Sequence, residues 1–125
     1  NAGVWDSVRP FPAFRFPGGS KGKYFDTVTR QEMFDMLHSR GYSVYDWNVL
    51  TNDGLLFQCP EGMPILTYLK TTFEETWASS ANRKIILMHD SHPYTAMILP
   101  YILRYCAANG YTFATLDEMG EEYHY

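Results

Sequence analysis

Apolar and polar residues fall into short blocks along this chain, and the blocks alternate between the period of a strand and the period of a helix. Ala13 to Phe16 reads as a short strand, stopped by Pro17-Gly18-Gly19. A helix is expected from about Arg30 to Arg40. Thr29 and Glu32 are spaced as a capping box, Met33, Phe34, Met36 and Leu37 form an apolar stripe, and Gly41 is the stop. Tyr42 to Val49 reads as a strand, followed by the loop Thr51-Asn52-Asp53-Gly54. The next helix begins near Pro64, with Ile65, Leu69, Phe73 and Trp77 at four-residue spacing on one face. Lys84 to His89 is an almost continuous apolar run, as expected of a parallel strand covered on both faces. Thr95 can cap a helix carrying Ile98, Leu99, Ile102, Leu103 and Cys106, with Pro100 inside it and Gly110 at its end. Tyr111 to Leu116 reads as a last strand.

The order βαβαβαβ implies an α/β fold with a parallel sheet and helices packed over it. Four strands make either a small open sheet or half of a barrel. A length of 125 residues suits one domain with a single core. The chain starts at Asn1 rather than Met, which suggests a processed product or a piece of something longer, with any targeting segment upstream.

Composition narrows the partners. The formal charge is −4, and the ten Lys and Arg are scattered, so no basic stripe for nucleic acid is present. No apolar run reaches the roughly 18–20 residues of a membrane span. Aromatic residues make up 17% of the chain, enough that some faces could stack on sugar rings beyond those used in the core. Cys59 and Cys106 could pair only if their Cα atoms come within about 7 Å, and two lone cysteines do not make a disulfide framework.

In parallel α/β folds functional groups gather at the C-terminal ends of the strands. Three such ends carry unusual residues here: Arg15-Phe16-Pro17-Gly18-Gly19-Ser20, Asp46-Trp47-Asn48, and His89-Asp90-Ser91-His92. Arginine, aspartate with asparagine, and histidine would then converge on one face. Each also has a purely structural reading. Arg15 can extend to solvent from a strand end, Asp46 and Asn48 can be a hydrogen-bonded polar pair on one strand face, and His89 can be a satisfied strand-end histidine. His89-x-x-His92 alone is a poor metal site, because it needs a third ligand. Gly18-Gly19-Ser20-Lys21-Gly22-Lys23 is one residue short of a phosphate loop, and Tyr24 stands where Ser or Thr should hold magnesium.

Taken in order, Phe14-Arg15-Phe16-Pro17-Gly18-Gly19-Ser20, Tyr45-Asp46-Trp47-Asn48-Val49 and Leu87-Met88-His89-Asp90 are similar to the third, fourth and fifth motifs of the polysaccharide deacetylases, the NodB-homology domain or carbohydrate esterase family four. Thr95 through Leu99-Pro100 to Gly110-Tyr111-Thr112-Phe113-Ala114-Thr115-Leu116 resembles the end of that domain, so the likeness runs from about residue 11 onward. The resemblance implies a portion of a distorted (β/α) barrel of about seven strands. It also implies removal of acetyl groups from peptidoglycan, chitin-like polymers or xylan, with a divalent metal, usually zinc, polarising the carbonyl and activating water.

Carried over by position, His89 matches the general acid, Leu87 the residue lining the acetate pocket, and Arg15 the arginine that orients a catalytic aspartate. Pro17 belongs to the motif of Arg15, and Trp47 matches the tryptophan that opens the fourth motif, commonly W-x-x-D-x-x-D-W. In that pattern the aspartate supporting the histidine aligns with Leu50 and the last tryptophan with Gly54, while Asp53 alone fits; Asp46 or Asn48 is the expected substitute support for His89. The first motif, paired aspartates, and the second, His-x-x-x-His, are absent, so the chain carries no metal ligands and no base. The resemblance is therefore to the C-terminal half of a deacetylase domain.

The leading expectation is a metal-dependent carbohydrate N-deacetylase portion carrying the general acid, acting on a carbohydrate polymer in a bacterial extracellular or cell-envelope setting. The alternative is a non-catalytic carbohydrate-facing or assembly fragment without a metal site. A half barrel would expose two strand edges that promote pairing, and Arg15 would be a half-buried charge deprived of its carboxylate, at a cost of about 3–5 kcal/mol. Both expectations point to a missing N-terminal half or to self-association.

Overall fold

A proline followed by a glycine shapes the first turn. Gly19 donates its N–H to Phe16 O at 2.9 Å and Gly18 adopts φ +75°, the conformation a type II turn requires after Pro at its second position. This turn follows β1 (Ala13–Phe14), which is shorter than the four residues its pattern suggested. The computed structural model describes residues 12–125; residue 11, where the deacetylase resemblance starts, lies outside the described residues. The chain divides into two compact units, one comprising Asn1–Asp46 with Ala114–Tyr125 and the other Trp47–Phe113.

In the first unit β1 runs parallel to β2 (Ser43–Val44), with Ala13 opposite Ser43 and Phe14 opposite Val44. Between them α1 spans Thr27–Ser39. It starts earlier than expected because Asp26, not Thr29, is the N-cap: the Asp26 carboxylate accepts the Thr29 N–H at 2.7 Å, and an ionised acceptor suits the positive end of a helix. That bond also holds the Asp26 carboxyl below its ordinary value. Of the expected stripe, Phe34 and Leu37 are buried while Met36 stays exposed. They close a cluster with Phe16 and Val44, in which the Phe16 and Phe34 rings stack at 5.5 Å.

The chain terminus completes this unit. Tyr123 forms a parallel bridge with Tyr45, Glu122 accepts the Val44 N–H at 2.8 Å and meets His38 Nε2 at 3.0 Å, and Arg30 donates to Tyr125 O at 2.7 Å. The last strand expected at Tyr111–Leu116 does not form; instead a short helix, α4, occupies Leu116–Met119. Asp117 and Glu118 lie in its first turn, where acidic side chains favour a helix. Tyr123 supplies the strand-like pairing further along.

In the second unit β3 (Val49–Leu50) pairs in parallel with β4 (Ile86–Leu87), Val49 opposite Ile86 and Leu50 opposite Leu87. The crossover between them contains a 3₁₀ turn at Leu56–Gln58 and α2 (Ile65–Ser79), for which Pro64 is the N-cap residue. The four-residue spacing works as read: Leu69, Phe73 and Trp77 are buried, packed with Val49, Ile98, Ile102 and Cys106. α3 spans Pro93–Ala108 and contains Pro100. Its N-cap is His92 rather than Thr95, with Pro93 at the first helical position, where the missing N–H costs nothing. Cys59 and Cys106 are both free thiols.

Among the described residues the fold is α/β with parallel strands, in two two-stranded sheets. The single strand expected over Tyr42–Val49 is split into β2 and β3 because its polar members are engaged sideways. Asp46 accepts bonds from Ser20 N–H at 2.9 Å and Ser20 Oγ at 2.5 Å. Asn48 donates to Arg83 O at 2.6 Å and accepts from Ile85 N–H at 2.8 Å, taking backbone groups that a longer β4 would have used in its ladder. No described helix is long and apolar enough to cross a membrane.

Candidate active site

The second unit presents one arrangement with the geometry of an acid–base pair. After β3, Thr51 is fully buried and accepts the Asp53 N–H at 3.2 Å. Asn52 takes φ 64°, a left-handed conformation that asparagine tolerates better than most residues. This turn aims the Asp53 carboxylate inward, where only 1% of the residue is exposed. From the end of β4, His89 brings its ring to the same point: Nδ1 lies 2.8 Å from Asp53 Oδ1. Asp53 Oδ2 accepts the His89 backbone N–H at 2.7 Å and the Thr95 hydroxyl at 2.6 Å.

The electrostatics follow from those partners. Burial alone would raise the Asp53 carboxyl, but the bonds from Thr95 and from the His89 backbone and ring outweigh it and hold the carboxyl below its ordinary value. An ionised carboxylate only accepts hydrogen bonds, so the ring must donate through Nδ1–H. Nε2 is then the nitrogen left to act, and among the described residues it makes no hydrogen bond. The His89 side chain is 46% exposed while that of Asp53 is 2% exposed, a buried anchor holding an accessible ring.

That ring borders a cleft of about 200 Å³. Trp47, Leu50, Leu55 and Leu87 supply its apolar walls, with Asn52, Asp53 and His89 as its polar members. Gly54 lies directly under the imidazole: a Cβ built there would stand 2.8 Å from His89 Cε1 and 3.2 Å from each ring nitrogen. A second opening, about 340 Å³, borders the same histidine with Asp90, His92 and Thr95, and the His92 ring stands edge-on to His89 at 6.2 Å.

The expected site residues are divided between the two compact units. Trp47, Leu87 and His89 line one cleft in the second unit. Arg15, Pro17 and Asp46 belong to the first. The expectation that Asp46 or Asn48 supports His89 is corrected, because the partner is Asp53. Asp46 is fully buried and committed to Ser20 and to the Tyr125 N–H at 3.0 Å, and Asn48 to Arg83 and Ile85. Arg15 lies exposed and donates Nε–H to Tyr45 O at 2.9 Å. Partial desolvation lowers its pKa by more than the nearby Asp46 charge raises it. Thr95 was read only as a helix cap and Asp53 only as a match to the motif. The signal for Asp53 was present, since it is the one acid in the interval Trp47 to Gly54.

No family model matches the chain, and no curated protein matches it. At the level of the fold, the chain is similar to the catalytic domain of a deacetylase of known structure. That structure is the catalytic domain of peptidoglycan N-acetylglucosamine deacetylase from Eubacterium rectale, with a TM-score of 0.68 and 26% identity. The match covers 90% of this chain and 50% of that one, so the chain spans about half of that domain's length.

Proposed function

We propose that this chain is the part of a carbohydrate N-deacetylase that carries the general acid, His89, with Asp53 as its supporting carboxylate. The observation that carries the reading is the pair itself: a buried, ionised carboxylate 2.8 Å from Nδ1 of an accessible imidazole at the edge of an apolar-walled cleft. When the acetyl C–N bond breaks, the departing nitrogen needs a proton. A protonated His89 supplies it from Nε2 and becomes neutral, while Asp53 holds the ring in place and stabilises its charged form. A positioned general acid of this kind contributes about 10²–10⁴-fold. Trp47 and Leu87 offer apolar surface suited to the methyl of an acetyl group. The likeness to a peptidoglycan N-acetylglucosamine deacetylase supports a polymer containing N-acetylglucosamine as substrate, and a bacterial extracellular or cell-envelope setting goes with it.

The resemblance assigns a divalent metal, the residues that hold it and the base to two motifs this sequence lacks. Among the described residues no group of three or more His, Cys, Asp or Glu is placed to hold a metal ion. The donor set of the described residues does not fit a zinc site. Arg15, Pro17 and Asp46 keep, as a proposal, the carried-over motif assignment only. The second reading is a non-catalytic carbohydrate-facing or assembly fragment. In either reading the remaining part of a deacetylase domain, or a second copy, is the proposed protein partner, since two-stranded sheets leave edges to be covered.

The test is acetate release from N-acetylglucosamine oligomers by the native protein that contains this chain, with its metal content measured in parallel. Acetate release that collapses in His89→Ala supports the enzyme. A folded native protein that binds no divalent metal and releases no acetate leaves the non-catalytic reading.

A further inference from the structure

Thr95 stands where a cap was expected, yet it is the third residue of α3 and is only 9% exposed. The carbonyls three and four residues back, of His92 and Ser91, precede the helix, so the back-bond a mid-helix threonine makes is not on offer within α3. The Thr95 hydroxyl reaches the loop after β3 and donates to Asp53 Oδ2 at 2.6 Å. Oδ2 accepts a second bond, from the His89 backbone N–H at 2.7 Å, which leaves Oδ1 for the imidazole at 2.8 Å. A carboxylate can pivot about its Cβ–Cγ bond. Two donors on one oxygen, from a helix and from a strand end, fix where the other oxygen points.

We propose that Thr95 is a positioning residue: its hydroxyl locks the Asp53 carboxylate so that the His89 ring holds one tautomer, with Nδ1–H inward and Nε2 toward the cleft. The catalytic meaning of this rests on the reading of His89 as a general acid, but the tautomer does not. Valine matches the shape of threonine without the hydroxyl. In Thr95→Val, Oδ2 keeps only the backbone donor, the carboxylate is freed to turn, and the ring is released to exchange tautomers. Gly54, beneath the ring, offers no side chain that would hold it instead.

The experiment is a long-range ¹⁵N–¹H correlation spectrum of the His89 ring in this chain, at a pH where the imidazole is neutral. The unmutated chain and Thr95→Ser should each give one protonated Nδ1 and one unprotonated Nε2. Thr95→Val should lose that separation and show the averaged shifts of two tautomers, with the amide signals of Phe73 and Ile98 unmoved. A Thr95→Val spectrum with the unmutated ring pattern overturns the proposal, as does a folded Thr95→Ser that has lost it. In the unmutated chain the Thr95 hydroxyl proton should also be protected from solvent exchange and close to the His89 amide proton. A rapidly exchanging hydroxyl overturns the proposal even where Thr95→Val does not fold. None of these signals depends on acetate release, so failure here and failure of the deacetylase reading are told apart.

Discussion

Two buried aspartates, Asp46 and Asp53, look alike in sequence and in exposure, at 0% and 1%, and differ in what they hold. Around Asp46 the donors are the Ser20 N–H, the Ser20 hydroxyl and the Tyr125 N–H. Every one is fixed, so the carboxylate stitches the Gly-rich turn and the chain terminus onto β2. Around Asp53 two donors are fixed and the third is an imidazole that remains 46% exposed on its side chain. Burial of a charge does not by itself mark a functional site. What distinguishes Asp53 is an accessible imidazole partner whose second nitrogen makes no hydrogen bond among the described residues.

The comparison is broken most sharply by changing each carboxylate. Asp53→Asn in the native protein should lower acetate release by about 10²–10⁴-fold, the contribution of a positioned acid, because an amide can offer Nδ1 an N–H and favour the other tautomer. The fold should survive, as judged by the amide spectrum. A drop of less than about 10-fold would separate Asp53 from the chemistry. Asp46→Ala should instead act on stability. It orphans three donors, at about 1–3 kcal/mol for each one left buried without a partner, and the first unit should lose about 3 kcal/mol or more in urea titrations, with exchange protection lost at the Ser20 amide.

Gly54→Ala sharpens the picture on a smaller scale. Its methyl would stand 2.8 Å from His89 Cε1, so the ring must move, with an overpacking cost of about 1–3 kcal/mol and a lengthened bond to Asp53. Chemical shifts of the His89 ring protons report the displacement. The smallest effect is on acid stability. Asp53 titrates below its ordinary value in the folded chain, so its contribution is complete above the unfolded carboxyl value of about 3.9 and is lost as pH falls through the folded one. The urea midpoint of the second unit should therefore decline below about pH 4, and Asp53→Asn should flatten that decline.

Periodicity carried most of the fold. The apolar face of α2, the parallel pairing and the helix from the Thr95 region to Gly110 all follow from spacing, since burial of a stripe dictates them. Strand lengths did not follow, because Asp46 and Asn48 spend their hydrogen bonds on other loops and no local pattern reveals such distant partners. The last strand failed for a related reason: Tyr111 to Leu116 has strand-forming residues, but the pairing with Tyr45 belongs to Tyr123. At the site, His89, Trp47 and Leu87 were legible by position, whereas the choice of Asp53 over Asp46 depends on a turn through Asn52 and on a hydroxyl from another helix.

The central claim is that His89 is held through Nδ1 and acts through Nε2. Assignment of its two ring nitrogens by ¹⁵N chemical shift, in the unmutated chain with the imidazole neutral, measures this directly. The account predicts a protonated Nδ1 and a bare Nε2. A bare Nδ1 with the proton on Nε2 would contradict it.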